Sequence, residues 1–201
     1  MQRKIFDTLA SAVGLVIVVM LLVSSALLLW GYGFTTSSVH SQLARQDIVF
    51  PSRAQFAQAK AGTEVTPAMI PYLEKYAGQP LTTGAQAQAY ADHFIAVHLS
   101  EMPYGGVYAK VSAASMANPT NAALSAEVQT TFQGTTLRGL LLEAYAFSEF
   151  GLIALWAAVS AFVLAAIMAL LVGLGFRHAR RTSEDRELVL HKELERELVN
   201  A

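Results

Sequence analysis

The side chains best suited to chemistry lie between positions 92 and 101: Asp92, His93, His98 and Glu101. Imidazole and carboxylate together hold metal ions or exchange protons near neutral pH. Spacing decides which use is open to them. On a helix turning 100° per residue, His93 and His98 diverge by about 140°, whereas a shared metal needs side chains three or four positions apart. His98 and Glu101 meet that condition and form the candidate polar site. A half-buried His98 beside a carboxylate would have its charged form favoured. The plainer expectation is a core-facing histidine satisfied by its neighbour, with no metal or other cofactor. No G-x-S-x-G elbow, phosphate-cradling glycine loop or H-E-x-x-H occurs. The chain has no cysteine, which excludes disulfides, thiolate metal sites and cysteine nucleophiles. Glu143 and Glu149 are expected as solvated carboxylates, with Arg138 pairing with one of them or with a lipid phosphate.

Two apolar blocks must position these residues. The chain is 54% hydrophobic and 14% charged, with a net charge of −1 that gives no basic footprint for nucleic acid. Thr8–Val39 and Phe150–Phe176 carry no charged side chain. A helix crosses a 30 Å hydrocarbon core in about 20 residues. Each Leu, Ile, Val or Phe favours insertion by about 0.3–0.6 kcal/mol, while a central charge costs about 2.5–3.5. Both blocks are therefore expected to insert. The first is longer than the apolar part of a signal peptide and no small-x-small cleavage site follows, so it reads as an uncleaved anchor. Trp30, Tyr32 and Phe34 mark the headgroup level. Arg3 and Lys4 flank one span and Arg177, Arg180 and Arg181 the other, which predicts both termini in the cytoplasm, the middle exported, and the cytoplasmic membrane as location.

The predicted organisation is a cytoplasmic start (1–8), a first span (9–34), an exported helical domain (35–149), a second span (150–176) and a cytoplasmic charged tail (177–201). Ile48–Pro51 reads as extended chain. Helices are expected over Ser52–Lys60, Pro67–Tyr76, Thr83–Met102 and Tyr108–Met116. A long helix from Pro119 should run into the second span, with Leu124, Val128 and Phe132 facing the domain core. In the tail, Thr182-Ser183 resembles an N-cap, and Leu190, Leu194 and Leu198 recur at four. The fold class is an all-α membrane protein, with two transmembrane helices flanking an exported helical domain. Small residues line one side of the second span: Gly151, Ala154, Ala158, Ala161 and Ala165 at three-and-four spacing, continuing at four through Ala169 and Gly173. Such a smooth face admits another helix closely.

Ile48-Val49-Phe50-Pro51, the run Gly84–Ile95, Gly106-Val107-Tyr108-Ala109 and Thr136–Leu141 resemble a family of small actinobacterial two-span membrane proteins. The similarity covers the chain as far as Arg181. Some members carry an aromatic ring-opening dioxygenase label. Such an enzyme needs two histidines and a carboxylate with open metal positions, which the spacing of His93, His98 and Glu101 does not supply. The resemblance transfers no site residues. The expectation is a non-catalytic accessory or assembly subunit of a membrane complex, meeting the bilayer and another membrane protein or a second copy through the second span. A transmembrane sensor is the alternative, and a metal-dependent enzyme the third.

Overall fold

The computed structural model describes residues 3–181; the expected tail helix around Leu190–Leu198 lies outside them. Those residues are helical throughout, apart from turns and one isolated antiparallel bridge between Val49 and Pro80. Helix α1 spans Arg3–Ala44 and α7 spans Ala122–Arg181. At 1.5 Å per residue they are about 63 Å and 90 Å long. Each is long and apolar enough to cross a membrane. Between them lie short helices: α2 (Arg53–Ala57), α3 (Ile70–Leu73), α4 (Gly84–Tyr90), α5 (Ala96–Glu101) and α6 (Tyr108–Ala117). The chain divides into two compact units, one of residues 1–31 and 153–201, the other of residues 32–152.

In the first unit α1 and α7 pack along a seam of small residues. On α1 the shielded positions are Asp7, Ser11, Gly14, Val18, Leu21, Ser25 and Leu28, spaced alternately four and three. On α7, Ala158, Ala165, Val172 and Ala179 are buried at intervals of seven. A seven-residue repeat averages 3.5 per turn, the period that keeps a contact stripe facing its partner along a left-handed supercoil. Small side chains let the backbones approach. A Cβ on Gly14 would lie 2.7 Å from Val172 Cγ2, and one on Gly175 would collide with Ser11 Oγ. The Ser25 hydroxyl donates across the seam to the Ala158 carbonyl at 2.9 Å, so its polar atom is not left bare among apolar neighbours.

The second unit has a core of its own. Val39 and Leu43 from the end of α1 and Leu141 from α7 close over Phe50, Phe56, Met69, Leu73, Leu81 and Ala87. Two capping boxes start its helices. Ser52 accepts from the Gln55 backbone while the Gln55 side chain returns to Ser52, and Thr83 and Gln86 repeat the arrangement. These S/T-x-x-Q signatures satisfy backbone donors that a helix start leaves open. Ile48–Pro51 is extended as expected and pairs with Gly78–Leu81, through Phe50 N–H to Gln79 O at 3.0 Å and Leu81 N–H to Ile48 O at 2.8 Å. The helix expected over Thr83–Met102 forms across Gly84–Glu101, but Ala91–Ile95 in its middle is a π turn.

The face of α7 in this unit differs from expectation. Thr131 is fully buried, whereas Phe132 is 51% exposed; Leu124 and Val128 are half-buried. Steps of four residues rotate about 40° each around a helix. A four-spaced set such as Leu124, Val128 and Phe132 therefore walks off a contact line that recurs every 3.5.

Candidate functional site

The predicted polar site does not assemble as a pair. His98 Nδ1 lies 2.8 Å from the Phe94 carbonyl one turn back, and Glu101 is exposed. The ring of His98 also rests on Phe94, with centroids 4.6 Å apart. His93 is used differently: it stacks flat on Tyr72 at 3.6 Å with the planes within 2°. Among the described residues no three His, Asp or Glu side chains gather in a metal-binding group. Arg138 reaches Asp92 through Nη2 at 2.8 Å, in place of the expected pairing with Glu143, Glu149 or a lipid phosphate. The Arg138 and Asp92 side chains are 40% and 32% exposed, a setting in which an ion pair contributes roughly 0–1 kcal/mol. Asp92 and His93 sit together in the π turn, a distortion that is frequent at functional sites. Here its side chains join α7 and the Ile70–Leu73 segment to the same helix, a packing role. Beneath them Tyr90 meets Phe50 edge-on at 5.5 Å. Burial, reinforced by the negative charge of Glu64, pushes the Tyr90 phenol above its usual range and keeps it neutral.

The arrangement with the clearest outward-facing chemistry is a patch the sequence analysis did not single out. Pro103–Gly106 forms a turn in which Tyr104, Gly105 and Gly106 all have positive φ, at 57°, 64° and 62°. Such a conformation costs a side-chain-bearing residue about 1–2 kcal/mol. Glycine adopts it freely, and tyrosine does not, so the strain at Tyr104 is held by its surroundings. Gly106 cannot be larger: a Cβ there would collide with Leu99 O and lie 2.7 Å from Leu99 C. The turn leaves Tyr104, Val107 and Tyr108 exposed, and Tyr108 packs on the exposed Phe132 ring of α7 at 5.8 Å. The signal available in the sequence was Tyr104-Gly105-Gly106, three residues of which two invite left-handed backbone.

The second-span residues separate into two groups. Ala158 and Ala165 are buried in the seam of the first unit, and Ala154 and Ala161 are half-buried there. Gly151, in the other unit, packs against the Thr35 side chain. Ala169 and Gly173 are exposed, and a Cβ on Gly173 would meet nothing within 4 Å. The four-spaced stripe again drifts off the 3.5-residue seam. No family model, curated protein or solved structure matches this chain.

Proposed function

We propose that this is an integral protein of the cytoplasmic membrane, with both termini in the cytoplasm and residues 35–149 exported, akin to the actinobacterial two-span proteins it resembles. It acts by binding, as an accessory or assembly subunit of a larger membrane complex. Insertion is supported by how little of the apolar surface is used internally. In each long helix only 17% of the most apolar window is buried, unlike the core helix of a soluble protein.

The observation that carries the binding role is the patch of Tyr104, Val107, Tyr108 and Phe132. Exposed aromatic clusters are enriched where proteins meet, because a rigid ring buries a large area at low entropic cost. Holding Tyr104 in a strained conformation only to expose it is a cost that a binding role explains. A further span would pack on the outward small residues of α7, Ala157, Ala169 and Gly173. The test is cross-linked co-purification of the full chain from its native membrane in mild detergent. Tyr108→Ala with Phe132→Ala should remove the co-purifying partner while the fold survives, losing only about 0.5–1.5 kcal/mol for the ring pair plus the buried half of each ring. Tyr104→Gly should also weaken capture while leaving stability unchanged or higher by up to about 1 kcal/mol, since glycine relieves the positive φ. Undiminished capture by all these variants would sink the patch as the contact surface.

One observation favours a sensor as the second reading. Helix α1 continues past Gly31 and α7 past Leu152, so the two units share both long helices. A thermal-shift screen of the full chain should then find small molecules that raise the melting temperature. A screen without a hit removes this reading.

A further inference from the structure

The first unit is lopsided in charge. Its described residues hold a single carboxylate, Asp7, against Arg3, Lys4, Arg177, Arg180 and Arg181. That carboxylate is engaged beside the seam: Asp7 Oδ2 lies 3.6 Å from His178 Nε2, next to the buried Ala179. At 100° per residue, Arg177, Arg180 and Arg181 share an arc of about 100° on the side of α7 away from Ala179. All three are exposed, and among the described residues none of them is in an ion pair. Arg180 and Arg181 both neighbour Arg177 on the helix surface, three and four positions on. We propose that Arg177, Arg180 and Arg181 form a clamp for the phosphate of an anionic membrane phospholipid.

Charge, side-chain type and position identify the occupant. A patch of three cations with no carboxylate beside it calls for an anion. Every member is an arginine, whose planar guanidinium grips two phosphate oxygens at once, whereas lysine supplies the same charge as a point. Phe176, immediately before the patch, ends the uncharged run of α7. In a bilayer that boundary is where hydrocarbon gives way to headgroup phosphates, and long basic side chains reach them there. Two general effects also place cations at such a site. The helix dipole favours any cation in a last turn, and the orientation rule counts lysine and arginine alike. Neither gathers three guanidiniums on one exposed arc.

The inference rests on the membrane reading above, and the experiment separates the two. The full chain is reconstituted in phosphatidylcholine vesicles carrying a trace of spin-labelled phosphatidylglycerol or spin-labelled phosphatidylcholine. Electron paramagnetic resonance measures the share of each labelled lipid that the protein immobilises. Both leaflets have one composition, so the orientation of the chain does not affect the ratio. The glycerol lipid should be preferred about fivefold, the contribution of one surface arginine. Arg177→Gln, Arg180→Gln and Arg181→Gln together should bring the ratio to about one. The same three positions changed to lysine keep the charge and lose the fork, and the ratio should fall to about twofold or less. Millimolar inorganic phosphate should leave the preference in place. A ratio near one for the unaltered chain, as when the carboxylates from Glu184 onwards neutralise the arginines, overturns the proposal. Full preference in the lysine variant overturns the clamp in favour of diffuse charge. Displacement by inorganic phosphate makes the ligand a soluble anion and overturns the lipid assignment. Equal immobilisation of the two lipids leaves the membrane reading standing, and no immobilised lipid of either kind overturns both.

Discussion

Gly106→Ala should cost the fold about 2–5 kcal/mol and abolish partner capture, whereas Gly105→Ala, one position earlier, should cost only about 1–2. Both residues have positive φ, so both substitutions incur the left-handed penalty of about 1–2 kcal/mol. They differ in their surroundings. A Cβ on Gly105 meets open space, while one on Gly106 meets the backbone of Leu99, which cannot rotate away as a side-chain tip would. Forcing an atom into such a contact adds about 1–3 kcal/mol. Against a typical total of 5–15 kcal/mol, the larger loss approaches unfolding. Circular-dichroism melts of the two full-length variants in the same detergent decide it: equal losses would show that Leu99 relaxes and that the contact does not matter. On the proposed binding role the turn matters because Gly106 approaches Leu99 closely in the same turn that carries Tyr104.

The large-scale architecture was legible from the sequence because it depends on long-range averages. Two charge-free runs, and proline and glycine at helix boundaries, were enough to place α1, α7 and the shorter helices between them. The errors about helix faces share one cause. Leu124–Val128–Phe132 and Ala161–Ala165–Ala169–Gly173 were read as faces because they recur at four. The structure packs its long helices on a seam near 3.5 residues, so Phe132, Ala169 and Gly173 end up outside. On α1 the alternation Asp7, Ser11, Gly14, Val18, Leu21, Ser25, Leu28 was present in the sequence. It is masked there because nearly every residue around it is apolar, and hydrophobicity cannot distinguish the packed face from the outward one. Only size and polarity carry the distinction, in Ser11, Gly14 and Ser25. The partners of the polar side chains were hidden for a different reason. His98 and Glu101 satisfy i,i+3 spacing, but a histidine next to a helical carbonyl has a nearer partner in Phe94 O, and Arg138 found Asp92, 46 positions away, a pairing that no local spacing rule detects.

Ala158→Leu combined with Ala165→Leu should open the pairing of α1 with α7, while Ala169→Leu combined with Gly173→Leu should leave it intact. Ala158 is 0% and Ala165 1% exposed, and Ala158 O accepts the Ser25 hydroxyl. A leucine at either position drives three extra carbons into a seam that already brings Gly14 against Val172. Overpacking of this kind costs about 1–3 kcal/mol per site. The two sites lie seven residues apart on one seam, so the first expansion makes room for the second and the pair should cost less than the sum. Among the described residues Ala169 and Gly173 are exposed and a Cβ on Gly173 meets nothing within 4 Å, and replacing a helical glycine even raises helix propensity. Protease accessibility and melting temperature in detergent report the pairing, and co-purification reports the complex. The inner pair should lower all three. For the outer pair the informative case is an unchanged melting temperature with the partner lost. That result assigns the outward small residues to a foreign span, because only a contact outside this chain is removed. If the outer pair destabilises the isolated protein as much as the inner pair does, the seam drawn from the 3.5-residue repeat is wrong. The second span would then pack on its four-spaced stripe after all.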